Sequence, residues 1–142
     1  MAGGWLSVLC ILLVFGAPAT AAYSVFWQTL PKLISADNVA RAVLLGVYCV
    51  VFTGLAIGSV LAGVKLWLVQ PKADLFARKY LLTYLAGHIG YFVFWFLLTR
   101  PTETLSLAYM GYYHVVAPIG STALWYFYLE NSTRVRKTYS QS

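Results

Sequence analysis

The sequence predicts an all-α integral membrane protein, a single antiparallel four-helix bundle with both termini on the cytoplasmic side. Three observations carry that expectation. Of 142 residues, 61% are hydrophobic and only 10% charged, against about 25% charged in a soluble domain. The apolar residues gather in four runs, over 4–27, 39–68, 75–98 and 105–129, each near or above the roughly 20 residues that a helix needs to cross a bilayer. The separators "LPKLISAD", "VQPKAD" and "TRPTET" each join a proline to charge, which breaks the helices between the runs. Residues 1–142 therefore form one transmembrane domain that ends in a basic cytoplasmic tail at 130–142.

The first run has a rival explanation. "LSVLCILLVFGAPATAA" has the character of a signal-peptide core, with Ala19 and Ala21 as an A-x-A cleavage site. No lysine or arginine precedes Lys32, however, and the run continues through "YSVFW", so a retained span is expected. Pro18 should kink it.

The second run places Gly54, Gly58 and Ala62 four residues apart, with Gly46 on the same side. Helices in lipid gain little from hydrophobicity when they pair, so a small-residue groove of this kind lets a neighbouring backbone approach closely. The neighbour is another span of the bundle or a second copy of the chain. In the third run Tyr84, His88, Tyr91 and Trp95 share a face, and in the fourth His114, Pro118, Ser121 and Trp125 do so. Pro118 has no N–H to offer the carbonyl of His114. Asp37, Asp74 and Thr102, just ahead of three of the runs, are the expected helix caps.

Orientation follows from the basic residues. Lys65, Lys72, Arg78, Lys79, Arg134, Arg136 and Lys137 fall on one side, and Lys32, Arg41 and Arg100 on the other. The side richer in Lys and Arg is cytoplasmic. The tryptophans agree: Trp5, Trp67 and Trp125 fall at cytoplasmic ends, and Trp27 and Trp95 at the opposite ends, as interfacial belts require. The net charge of +6 reads as topology signal and anionic-lipid contact, because no separate basic domain exists to dock on nucleic acid. Membrane lipids are the expected partners, with another membrane protein or a second copy of the chain as further candidates. Asn131 opens an N-x-S/T acceptor but is expected to face the cytoplasm.

Chemistry is sparse. Asp37, Asp74, Glu103 and Glu130 all sit at span ends, so no carboxylate is placed at depth for proton-coupled transport. Cys10 and Cys49 lie in apolar runs and suit neither a disulfide framework nor a metal site. No phosphate loop, Ser-His-Asp set or HExxH helix is present, so no catalytic or metal-binding residue is assigned. His88 and His114 remain. They lie at nearly equal distance from the turn at Arg100 and Pro101, which puts both near mid-membrane at about 1.5 Å per residue. Level histidines on neighbouring helices have the donor type for axial ligation of a b-type haem. The other readings are a lipid or quinone pocket and a structural polar tie between helices. A transporter or lipid-handling protein would require a polar-lined cavity, which the sequence does not visibly supply.

The two ends of the chain, "GGWL" and "ALWYFYLENSTRVRKTYS", together resemble the small bacterial inner-membrane proteins grouped as domain of unknown function 2569. These open on a GGWL-like segment, carry four spans and close on S-x-R-V-x-x-T-[FY], matched here by Ser132, Arg134, Val135, Thr138 and Tyr139. The resemblance implies a four-span fold, a bacterial inner-membrane location and no established activity. Physically, Arg134, Arg136 and Lys137 suit an anionic leaflet surface at about 1 kcal/mol per basic residue, and Ser132 suits a cap or turn. This end of the chain is a surface anchor or an epitope for a partner. The expectation is a non-enzymatic structural, accessory or partner-binding membrane subunit.

Overall fold

The computed structural model describes residues 4–139, and every regular element among them is helical. Helix α1 spans Trp5–Ile34, α2 Val39–Trp67, α3 Ala73–Thr99, α4 104–131 and α5 Thr133–Tyr139. The first three of these are long and apolar enough to cross a membrane. Large apolar side chains such as Trp5, Phe15, Phe26, Trp27, Val50, Leu105 and Phe127 lie exposed on the outside, a surface that only hydrocarbon solvates well.

Helix α1 runs to Ile34, past the sequence boundary at 27, because a proline does not end it. All three helical prolines meet the same local solution. The segments Leu12–Gly16, Tyr23–Thr29 and Tyr112–Val116 are π-helical turns, and each finishes two residues before Pro18, Pro31 or Pro118. In each case the residue before the proline donates to the carbonyl five back: Ala17 to Leu12, Leu30 to Val25, Ala117 to Tyr112. The widened turn relieves the clash of the proline ring with the preceding turn. It also leaves carbonyls short of donors, and in α1 a neighbouring helix supplies one: the buried Ser59 hydroxyl of α2 donates to the Leu13 carbonyl. That is how proline is tolerated in a membrane helix.

The helix starts differ by a residue or two from the expected caps. Asn38, in extended conformation, caps α2 by accepting the Arg41 N–H at 2.7 Å, while Asp37 lies 3.4 Å from the Arg41 guanidinium. Asp74 sits inside the first turn of α3, 3.4 Å from Arg78, and Glu103 rather than Thr102 precedes α4. A first-turn carboxylate still answers the positive end of the helix dipole without capping it.

Consecutive helices pack antiparallel, α1 on α2, α2 on α3 and α3 on α4. One core fills the end where α1 begins and α2 finishes, built from Leu6, Leu9, Cys10, Leu13, Ala62, Leu66, Ala77, Leu81 and Leu129. A second, around Val25, Leu44, Phe52 and Tyr91, fills the other half. The expected groove at Gly54, Gly58 and Ala62 is only partly used. Ala62 is fully buried and a Cβ on Gly58 would lie 3.1 Å from the Tyr80 ring, but one on Gly54 or Gly46 would meet nothing within 4 Å. The closest helix approach falls instead at Gly63, where a Cβ would lie 2.6 Å from Val14 Cγ2 and 3.1 Å from the Val14 backbone nitrogen. Ser59 and Gly63, one turn apart, thus form the face that receives α1. Gly54, Gly58 and Gly87 line an outward groove between α2 and α3.

Through Tyr139, the last described residue, the C-terminal motif is folded against the other helices, while residues 140–142 of the expected tail at 130–142 lie outside the described residues. Ser132 caps α5 by accepting the Val135 N–H at 3.4 Å. Val135 and Tyr139 enter the core beside Leu6 and Leu66, and the Tyr139 hydroxyl donates to the Leu66 carbonyl at 2.7 Å. Arg134, Arg136 and Lys137 remain exposed on the other face. Gly4 adopts φ 63°, and a Cβ there would lie 2.8 Å from Arg134 Nη1. The two terminal segments that carry the family resemblance are therefore neighbours in space.

The docked tail carries a pH dependence. Burial holds the Tyr139 phenol above the usual tyrosine range, with neighbouring Cys10, Asp74 and Tyr128 adding to it. A raised folded-state value means the docking energy is intact below the free phenol's value of about 10 and is lost as pH rises beyond it. Tyr139→Phe is expected to weaken docking by about 1 kcal/mol and to remove this alkaline sensitivity. Thermal stability of wild type and Tyr139→Phe between pH 8 and pH ~11 checks it; a wild-type stability that falls no more steeply than that of Tyr139→Phe above pH ~10 would refute the account.

Candidate functional site

His88 projects from the middle of α3, and His114 from the π-helical turn that precedes Pro118 in α4. The two rings meet, with Nδ1 of one 3.0 Å from Nδ1 of the other. Both are buried, at 6% and 2% exposure. Between neutral rings such a contact requires one histidine to carry its proton on Nδ1 and the other to carry it on Nε2. The tautomers are therefore coupled.

Five aromatic rings surround the pair. Tyr84 stands 4.5 Å and Phe52 4.7 Å from the His88 ring, and Tyr113 and Tyr91 lie 5.0 Å and 5.1 Å from His114. Tyr48 completes the shell edge-on at 6.3 Å from His114. The polar-aromatic faces expected on the third and fourth spans do meet. Sequence reasoning missed the contribution of α2, where Tyr48 and Phe52 point one turn apart into the same cluster; their aromatic i, i+4 spacing was the available signal.

The haem reading rests on the same two rings. Two imidazoles ligating one iron need their nitrogens about 4 Å apart, twice a metal–nitrogen bond of roughly 2 Å, with a macrocycle between them. Here the rings touch each other directly and leave no slot. Among the described residues no group of three or more metal-ligating side chains converges.

Next to the pair lies a half-enclosed cavity of about 430 Å³. All four long helices line it. Leu13, Gly16, Thr20 and Ser24 come from α1, Phe52 and Ala56 from α2, Tyr80, Tyr84 and His88 from α3, and Tyr113, Ala117, Ser121 and Trp125 from α4. Helices α2 and α3 make its floor, and α1 and α4, which do not pack closely on each other, make its walls. This is the polar-lined cavity that the sequence did not disclose. Its polar groups come singly from four helices, so no one segment shows them together.

The lining contains no Asp, Glu, Lys or Arg; its titratable side chains are His88 and tyrosines. The Ser24 hydroxyl lies within hydrogen-bonding reach of Tyr48. Among the described residues the Tyr84 and Tyr113 hydroxyls and Nε2 of His88 make no hydrogen bond to protein. These three groups face a common space in a predominantly apolar setting.

No family model, curated protein or solved structure matches the chain.

Proposed function

We propose that the chain is a four-span protein of the bacterial inner membrane, with both termini cytoplasmic, that binds a lipid-soluble molecule without catalysing a reaction on it. The observation that carries the proposal is the cavity between α1 and α4. Its volume of about 430 Å³ falls within the range of roughly 300–1,000 Å³ typical of small-molecule sites. Its walls are mostly apolar, and His88 of the histidine pair is among its lining residues. A gap between two membrane helices admits a ligand sideways from the bilayer. The lining residues include no carboxylate, lysine or arginine, so a neutral lipophile meets no fixed charge there.

The fourth crossing rests on α4, whose continuous helix over 104–131 extends about 40 Å at 1.5 Å per residue. The orientation rests on the seven basic residues at one end against three at the other, and the bacterial location on the family resemblance of the two termini. An accessory role toward another membrane protein is supported by the outward groove lined by Gly54, Gly58 and Gly87, which stays open at Gly54 among the described residues.

Two experiments test this reading. Native mass spectrometry of protein extracted from membranes is expected to show a bound lipophile that Ala56→Trp, which fills the cavity floor, reduces by tenfold or more. Equal occupancy in both proteins would remove the cavity from the argument. An alkaline phosphatase fused after Ser142 is expected to be inactive, and an active fusion would invert the topology.

A further inference from the structure

We infer that the ligand of this cavity is a neutral-headed lipophile whose head carries hydrogen-bond-accepting oxygens, the class to which quinones belong, rather than a phosphate-headed lipid. The inference rests on the binding function proposed above and narrows its ligand by chemistry.

Charge is the first discriminator between head groups. A phosphate buried at membrane depth needs cationic donors or a helix N-terminus to replace its water. None of the lining residues is lysine or arginine, and the nearest helix starts lie at the bundle ends. The polar side chains lining the cavity are instead hydroxyls, the His88 imidazole and the Trp125 indole. Such groups solvate a carbonyl or a hydroxyl well and an anion poorly.

The second step is hydrogen-bond bookkeeping. The Tyr84 and Tyr113 hydroxyls are not among the fully buried unpaired atoms and make no hydrogen bond seen among the described residues, so they stay open to an acceptor in the cavity that both residues line. Nε2 of His88 is likewise unpaired, its Nδ1 being taken by His114 at 3.0 Å. A hydrogen bond in an apolar setting contributes more than contact with hydrocarbon, so an occupant that accepts from these donors is favoured over a bare acyl chain. When His114 donates across the Nδ1 contact, His88 carries its proton on Nε2 and becomes the third donor. Three donors at one end of an apolar slot match a head with ketone oxygens and a hydrocarbon tail, with the tail lying along Leu13, Gly16 and Ala56 toward the opening between α1 and α4.

The test uses purified full-length protein in detergent, with decylubiquinone as the neutral probe and a short-chain phosphatidylglycerol as the anionic one. Trp125 lines the cavity, so quenching of its fluorescence reports occupancy, with Trp125→Phe fixing the background from the other tryptophans. Decylubiquinone is expected to quench saturably. Phosphatidylglycerol is expected to compete at least tenfold less well. Tyr84→Phe and Tyr113→Phe, which remove the hydroxyls and keep the rings, should each weaken quinone binding by about 3- to 10-fold, while Ser7→Ala, away from the cavity, should leave it unchanged.

If both probes bind equally, or if the Phe variants bind decylubiquinone as wild type does, the neutral-head assignment is overturned and the cavity still stands as a binding site. If neither probe quenches and Ala56→Trp retains the same co-purified molecules as wild type, the binding reading itself falls, and this inference with it.

Discussion

Gly63→Leu will abolish the stable bundle, and of the single substitutions considered it should have the largest effect. A Cβ at this position already lies 2.6 Å from Val14 Cγ2, 3.0 Å from Leu13 Cβ and 3.1 Å from the Val14 backbone nitrogen. The last atom belongs to the α1 backbone and cannot swing aside as a side-chain tip would. Helix α1 must move off α2, which breaks the Ser59 bond to the Leu13 carbonyl and opens the core around Leu9, Cys10 and Leu66. Forced overpacking alone destabilises by about 1–3 kcal/mol, and the orphaned carbonyl adds about 1–3 kcal/mol.

The same substitution at Gly54, where a Cβ meets nothing within 4 Å, should leave the bundle close to wild type. Gly58→Leu should fall between, because the Tyr80 ring 3.1 Å away is a side chain that can yield in part. Leu61→Ala, at a half-exposed position, should be mild. Thermal aggregation in detergent ranks the four, and a Gly63→Leu protein as stable as the Gly54 variant would show that α1 is not seated at this point.

That ranking shows how much the sequence disclosed. The small-residue face of α2 was legible because Gly54, Gly58 and Ala62 repeat at four residues. Which edge of it receives α1 was not. That is decided by Ser59 and Gly63, and the hydroxyl is there to answer a carbonyl that Pro18 and its π-helical turn leave short of a donor on another helix. A sequence shows the proline but not where the displaced carbonyl will point.

Among the spans, only the end of α1 at Ile34 was misplaced by several residues, for the same reason: Pro31 follows a π-helical turn instead of stopping the helix. The tail was legible as a motif, but its docking on the core was not. Alternation of Val135 and Tyr139 with Arg134, Arg136 and Lys137 is an amphipathic pattern, but the pattern alone does not say whether its apolar face meets lipid or, as here, the core beside Leu66. The histidine pair was legible because its two residues are equally far from a turn. The cavity beside it was not, since it arises from a gap between α1 and α4 that no local pattern encodes.

Breaking the histidine pair should destabilise the protein in a way that a double-mutant cycle isolates. In His114→Leu the His88 ring keeps its place among Phe52, Tyr84 and Tyr113 but loses the partner of its Nδ1. His88→Leu does the reverse. Interhelical hydrogen bonds in membranes contribute about 0.6–1.7 kcal/mol, and an unpaired buried polar group raises each single loss toward about 2 kcal/mol. The double variant has no orphan to leave, so it should be more stable than the sum of the singles predicts, with a coupling of about 1 kcal/mol or more. His114→Asn, which still offers a donor and an acceptor, should retain part of that coupling. Pro118 belongs to the same unit, because the π-helical turn at Tyr112–Val116 that precedes it sets the direction of the His114 ring. Pro118→Ala restores a backbone N–H and lets the segment wind as regular α-helix, which rotates His114 away from His88; the coupling should then vanish even though both histidines are present. Strictly additive single losses, measured by reversible unfolding in mixed micelles, would refute the pair as an energetic contact, and full coupling in a Pro118→Ala background would refute the role of the proline in aiming it.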